Sequence, residues 1–268
     1  MRAGLNLSSG ELLGAAGLHG NPLEGRNGQG VYVNLGNGLL VVQNRDDLLV
    51  ARGQDAAALR TYNSSGVVND DNGDNWGSGV VSLRVSGVVN AAGSTVQRVD
   101  GDGSAATYTW DAARSLYVTT EGAGAHDTIA YVTADAQFEW RDGSSGTTQR
   151  FEGGGLYRLL SSRDTSGNAL AYAYGAGGFL ASVSTASGET TFYDYSGSNL
   201  TQVRTVAGGV TTTTVRYGYD TSSRLVTVSV DLTPGDHSVA DGKAYVTSYA
   251  YEGTSKRIAS ITQSQGTI

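Results

Sequence analysis

The feature that most restricts how this chain folds is a pair of tyrosines with a single residue between them. It returns four times: Tyr172-Ala173-Tyr174, Tyr193-Asp194-Tyr195, Tyr217-Gly218-Tyr219 and Tyr249-Ala250-Tyr251. Residues two apart on a strand point to the same face, so each pair sets two large rings side by side. Five to seven residues after each pair comes an aliphatic residue, in turn Leu180, Leu200, Leu225 and Ile258. The unit is strand, turn, strand, with both rings on one face. A lone hairpin cannot bury such a face, so neighbouring units must pair with it. First tyrosines at 172, 193, 217 and 249 give spacings of 21, 24 and 32 residues. Tyr108-Thr109-Trp110-Asp111, with Leu116 six residues past the tryptophan, reads as an earlier copy. Phe138-Glu139-Trp140 and Phe151 read as worn ones.

The rest of the chain carries the same signal. Gly, Ser, Thr, Asn and Asp clusters alternate with short runs rich in Val, Thr and Tyr, which is the pattern of hairpins. In "VYVNLGNGLLVVQ", residues 31 to 43, two strands flank Gly36-Asn37-Gly38. Glycine and asparagine accept the positive φ of tight hairpin turns. No stretch keeps a helical apolar stripe for three turns, and "LLGAAGL" is interrupted by Gly14 and Gly17. With 39 Gly and only 2 Pro in 268 residues, the expected fold class is all-β: repeated antiparallel hairpins forming an extended curved sheet or part of a shell.

Two readings of the tyrosines stand at this point. Rings on a sheet face are usually cross-strand core contacts. Exposed rings beside Asp, Asn or Arg would instead make a platform for glycans. Charge narrows the partners. The chain carries 18 Lys plus Arg against 25 Asp plus Glu, a net charge of −7, which repels phosphate and argues against nucleic acid. No window is apolar enough for a membrane-spanning helix. The first residues, "MRAGLNLSSGELLGAAGLHG", lack the apolar core of a signal peptide. There is no cysteine, which excludes disulfides and thiolate metal sites.

The order of motifs resembles the RHS/YD-repeat family. "YGYDTSSRLVTVSV" is the closest copy of its Tyr-x-Tyr-Asp unit, and "YDYSGSNLTQVRTVAGGVTTTTVRYGYD" carries two in succession. Upstream, "VYVNLGNGLLVVQNRDDLLVARGQDAAALRTYNSSG" is similar to the segment that opens RHS cores in large bacterial proteins, with "RTYNS" at 60 to 64 and "GDNWGSG" at 73 to 79. The resemblance covers residues 29 to 265. It implies a β-shell of hairpin ribbons, as in bacterial RHS toxins and Tc-toxin components, where the shell is structural and encloses another part of the protein. It also implies a secreted or cell-surface location. No "DPxG"-rich closing motif is present, so the expectation is the front section of such a shell. Residues 1 to 28 then form a glycine-rich lead-in, 29 to 100 the opening segment, and 101 to 268 the repeat array, incomplete at its C-terminal end.

Catalytic and metal readings are weak. His19, His126 and His237 have no ligand partners at metal spacing. Glu139 and Asp142 flank Arg141 and a Gly-Ser turn, which suits surface charges better than a glycosidase pair. "GGG" at 153 to 155 and "GAGG" at 175 to 178 lack the Lys-Ser/Thr and helix of a phosphate loop. "DDNGDN" at 70 to 75 and "DGDGS" at 100 to 104 begin like calcium loops. Position twelve is Val81 in the first and Asp111 in the second, against the usual Glu. Solvated hairpin turns account for both. No cofactor is expected and no enzymatic activity.

The resulting expectation is a structural scaffold, enclosing or presenting another part of a larger bacterial protein such as a toxin. The alternative is a surface adhesin that binds glycans or self-assembles through open strand edges. Its partners would be downstream sequence of a parent protein or copies of itself. The eight paired tyrosines are expected to have mostly buried rings with partners for their hydroxyls. Trp76 is expected to be buried and to pin the opening segment against the first repeats. Open edges are expected at 256 to 265 and at the opening hairpin.

Overall fold

The computed structural model describes residues 12–13, 18–21, 30–34, 38–66, 71–101, 103–119 and 126–264. It is all-β, built from open antiparallel sheets, with no α-helix among the described residues. One sheet has six strands in chain order: β1 (Leu12–Leu13), β2 (Leu18–Asn21), β3 (Gly30–Asn34), β4 (Leu40–Leu49), β5 (Ala56–Asn63) and β6 (Trp76–Gly77). The other has sixteen, also in unbroken chain order. It starts with β7 (Ser82–Ser86), β8 (Thr95–Val99), β9 (Ala105–Asp111), β10 (Leu116–Val118), β11 (Thr128–Val132), β12 (Gln137–Arg141), β13 (Thr148–Glu152) and β14 (Leu159–Arg163). It continues with β15 (Ala169–Tyr174), β16 (Leu180–Ser184), β17 (Thr190–Ser196), β18 (Asn199–Ala207), β19 (Val210–Tyr219), β20 (Leu225–Asp231), β21 (Ala244–Tyr251) and β22 (Ile258–Ser264). Within each sheet every strand pairs with the next, so all pairing is of the hairpin kind.

The turn chemistry explains this meander. Asp164 N–H donates to Asn168 O and Gly167 N–H to Asp164 O, with Gly167 at φ 88°. Thr185 to Glu189 repeats the arrangement, with Gly188 at φ 98°. Only glycine takes that conformation without strain. The "DGDGS" turn is the same device: Asp100 N–H donates to Ser104 O and Gly103 N–H to Asp100 O. The Asp100 carboxylate pairs with Arg98. Asp102 and Asp70 lie outside the described residues. The glycine runs at 153–155 and 175–178 close the hairpins β13–β14 and β15–β16.

The sheets cut across the motif segments, and one expected edge is covered. Residues of the lead-in form β1 and β2, and β2 pairs with β3 from Leu18↔Asn34 to Asn21↔Val31. The opening hairpin, β3 with β4, is therefore interior to the smaller sheet and is not an edge. The two sheets divide between Gly77 and Ser82, whereas the motif boundary at 100 falls between β8 and β9. The edges of the large sheet are β7 and β22. The β7 edge is partly met by the 157–158 turn, through a Ser82↔Arg158 bridge and a Leu83 N–H···O Tyr157 bond of 3.2 Å.

The core forms two main clusters. One gathers residues of β7 to β14 around Tyr108, Tyr117, Phe138 and Phe151. The other lies between the smaller sheet and β15 to β22, and holds Tyr62 and Trp76 against Tyr193, Tyr217 and Tyr249.

Candidate functional site

The second cluster contains the site. Its array side is a ladder. In each tyrosine pair the register shifts just before the second ring, at Ala173/Tyr174, Asp194/Tyr195, Gly218/Tyr219 and Ala250/Tyr251. Each second tyrosine then stands opposite the aliphatic residue of its own unit: Tyr174↔Leu180, Tyr195↔Leu200, Tyr219↔Leu225 and Tyr251↔Ile258. Arg150/Phe151, with Phe151↔Leu159, has the same form. A bulge inserts one residue, bends its strand and re-aims the side chain. Here it turns the second phenol back along the array. Tyr174 OH donates to Leu159 O at 2.8 Å, Tyr219 OH to Leu200 O at 2.9 Å and Tyr251 OH to Leu225 O at 2.6 Å. Each of these carbonyls belongs to the aliphatic residue of the preceding unit, so the hydroxyls staple unit to unit.

The paired rings divide by depth. Tyr193, Tyr217 and Tyr249 are buried; Tyr172, Tyr174, Tyr195, Tyr219 and Tyr251 are half-buried. Tyr108 is buried in the other cluster and accepts Trp140 Nε1–H at 3.1 Å. Trp110 is half-buried, edge-on to Tyr117 at 5.1 Å.

The smaller sheet supplies the other wall. In β4 the register slips between Arg45 and Asp47, leaving Asp46 as the extra residue. Two successive acids, Asp46 and Asp47, are consequently both buried. Asp46 takes the Arg60 guanidinium in a two-pronged pair, Nε to Oδ2 at 2.8 Å and Nη2 to Oδ1 at 2.9 Å. The side chains are 6% and 1% exposed, so the pair survives only if its remaining valences are met. The array meets them: Arg60 Nη1 donates to Tyr249 OH and Tyr217 OH donates to Asp46 Oδ2, both at 2.7 Å. Burial opposes the Arg60 charge, but Asp46 outweighs it and the guanidinium stays well above its ordinary range. Burial, then the adjacent Asp46 carboxylate, push the Tyr217 phenol well above its usual value, which keeps it a donor. Next to this, Thr205 Oγ1 donates to Asp47 Oδ2 and shares a 2.7 Å bond with Thr191 Oγ1.

The other "RTYNS" residues each hold a bond of their own. Thr61 Oγ1 accepts Gln43 Nε2–H at 3.1 Å. Tyr62 OH donates to Lys256 O at 3.0 Å. Asn63 Oδ1 accepts Ser65 N–H at 3.0 Å, and Ser64 Oγ accepts Leu40 N–H at 2.9 Å. These bonds close the β5 exit and bring the chain back to β6, where Tyr62 pairs with Trp76.

Trp76 is buried, as expected, but against other partners than expected. Its ring meets Tyr62 at 5.3 Å and Tyr249 edge-on at 4.9 Å, and its Nε1–H donates to Tyr251 OH at 3.1 Å. Arg60 lies over it at 4.9 Å. It docks on the fourth tyrosine pair, not on the first repeats. The "DNGDN" residues make the adjoining contacts. Asp74 Oδ1 accepts Trp76 N–H at 2.9 Å, and Oδ2 accepts Leu225 N–H at 3.0 Å from the array. Asn72 Nδ2 donates to Asn199 Oδ1 and Ser223 O. Burial pushes the Asp74 carboxyl up to about 6, against the pull of its two backbone donors.

The residues weighed for chemistry are dispersed. His126 and His237 are exposed, and the His19 side chain lies outside the described residues. Glu139 accepts Arg150 Nε–H at 3.0 Å, while Asp142 caps its own turn through Ser144 N–H at 2.7 Å. Sequence reasoning found Trp76 and the tyrosines but missed Asp46, Arg60 and Asp74 as members of one network. "RTYNS" and "GDNWG" were the signal available for the last two; nothing marked Asp46.

No family model matches the chain, and no curated protein matches it. Solved structures similar to it include a porin-like protein from Bacteroides uniformis, at 11% identity and TM-score 0.34 over 68% of this chain and 88% of that one. The TcdB2-TccC3-Cdc42 structure is similar at 15% identity and TM-score 0.34, over 90% of this chain and 13% of that one. The Photorhabdus luminescens Tc holotoxin pore is similar at 12% identity and TM-score 0.32, over 90% of this chain and 12% of that one. The chain thus spans about an eighth of the length of those two toxin chains. Likenesses at TM-scores this low assign the chain neither a family nor an activity.

Proposed function

We propose that the chain is a structural scaffold, the opening section of an RHS/YD-repeat β-shell that encloses or presents another part of a larger bacterial protein such as a toxin. The observation that carries the reading is the stapled ladder. Three tyrosine hydroxyls bond the carbonyl of the preceding unit, and the "RTYNS" and "GDNWG" residues converge on the same tyrosine face. Such chemistry holds sheets together; its polar groups are used up in structure rather than offered to a substrate. The motif order resembles that of the family. A secreted or cell-surface setting belongs to the same proposal.

In this reading β22 is a joint. Among the described residues it pairs only with β21, and an open strand edge recruits another strand unless it is blocked. Its partner is downstream sequence of the parent protein or, for the isolated chain, another copy. Sedimentation over a wide concentration range, with amide exchange read at 258–264, tests this. Association that rises with concentration and slows exchange in β22 supports it. A strict monomer with already slow exchange there overturns it.

A further inference from the structure

Among the described residues, the outer edge of β22 is unlike the other sheet edges. β1 and β6 are two residues long, and a very short strand is itself a guard against pairing. β7 carries exposed Arg84 at its centre, and the 157–158 turn already takes its Leu83 N–H. β22 reads Ile-Ala-Ser-Ile-Thr-Gln-Ser, with no charge and no proline, so it lacks the common blocks on an edge. Resting on the reading of β22 as a joint, we propose that it pairs antiparallel with β22 of a second copy, about a two-fold axis at Thr262.

The register follows from the array. Each bulged strand meets its next neighbour only past the bulge: β16 from Ser182, β18 from Gln202 and β20 from Thr227. In β22 the bulge leaves Ala259 as the extra residue, between Ile258 and Ser260. The stretch open to a partner is therefore Ser260 to Ser264, and its middle residue is Thr262. Two-fold pairing there sets Thr262 opposite its own counterpart and Ile261 opposite Gln263. The array joins its own strands by the same kind of contact. Thr191 Oγ1 meets Thr205 Oγ1 at 2.7 Å, and Ser184 Oγ meets Thr190 Oγ1 at 3.0 Å, both between residues paired in register. Such hydroxyl pairs stabilise a sheet. Ile261 adds an apolar reason. It stands opposite Tyr249 and packs on the core while only half-buried, and a further strand covers it.

Charge selects self-pairing at this edge and not at the other. A strand paired with itself about its centre sets the central residue against its like. At β7 that brings Arg84 against Arg84, which is destabilising. At β22 no charge is opposed. Because both copies use the same patch, the assembly closes as a dimer and does not grow.

The test is sedimentation of the full chain at low salt, of the parent and of Thr262→Lys and Thr262→Glu. Thr262 is exposed at the edge, so both variants should fold, which circular dichroism checks. The parent should rise with concentration to a dimer plateau. Each variant sets like charges opposite each other and should associate about fivefold more weakly. An equimolar mixture of the two variants sets opposite charges face to face and should recover the parent's association. Assemblies that grow past the dimer, variants that associate as tightly as the parent, or a mixture that recovers nothing overturn the proposal. A monomeric parent with fast amide exchange in β22 also overturns it, and leaves the joint open for downstream sequence. A monomeric parent with slow exchange there overturns the joint as well.

Discussion

Arg60 and Asp46 show why a buried ion pair must be judged by its surroundings. Taken alone, two desolvated charges cost more than their attraction returns. Here Tyr217 donates to the carboxylate and Tyr249 accepts from the guanidinium, so the pair is completed by the partner sheet. Arg60→Ala leaves the Asp46 charge buried without its counter-ion and should cost about 3–5 kcal/mol in denaturant unfolding. Tyr217 separates ring from hydroxyl. Tyr217→Ala should lose about 3 kcal/mol or more, as for other buried aromatics. Tyr217→Phe should lose about 1.5–3 kcal/mol, the range for a hydrogen bond to a charged group. A loss well under that for the alanine variant would place the ring in solvent, contrary to its burial. At this scale the sequence was legible for the tyrosines, because their spacing repeats. It was not legible for Asp46. Two adjacent acids in a strand alternate in facing, so one of them normally reaches water; only the bulge at Arg45/Asp47 buries both.

At the scale of elements, the hairpins were readable and the bulges were not. Turn signals are local: glycine at positive φ, as at Gly167 and Gly188, marks where a strand reverses. A bulge is a property of two paired strands, and appears only once Tyr219 is seen opposite Leu225. The tyrosine-to-aliphatic interval was visible in sequence; its meaning, a staple to the preceding unit, was not. The staples differ in weight. Tyr219→Phe should cost about 1 kcal/mol, the net value of one such bond. Tyr251→Phe should cost more, because its hydroxyl both donates to Leu225 O and accepts the Trp76 indole N–H. Equal losses from the two variants in parallel unfolding curves would mean that the indole bond contributes nothing.

For the whole molecule, the decisive contacts are among those most distant in sequence. Trp76 meets Tyr251 and Arg60 meets Tyr249 across separations of 175 and 189 residues. No local pattern encodes such pairings, which is why the tryptophan was expected on the first repeats. A variant keeping Trp76 alone, with Trp110→Phe and Trp140→Phe, should emit well to the blue of indole in water. A water-like maximum would mean the sheets are undocked. Asp74 gives the docking a pH dependence. Its carboxyl links Trp76 N–H on one sheet to Leu225 N–H on the other, and burial raises it to about 6. An unfolded aspartate titrates near about 3.9. Between those values the folded chain holds the proton and the unfolded chain releases it. The contribution of this group is therefore fully present below about pH 4 and is lost as pH rises through about 6, by at most about 3 kcal/mol. The carboxylates held low by their turns, such as Asp142 at about 2, act below that window and in the opposite sense. Asp74→Asn removes the titration, so the variant's own curve subtracts the rest. Parent stability minus variant stability should fall as pH rises from about 4 to about 6.5 and level off above about 7; a flat or rising difference would show that the Asp74 carboxyl is not raised, and that docking of the two sheets takes up no proton in this range.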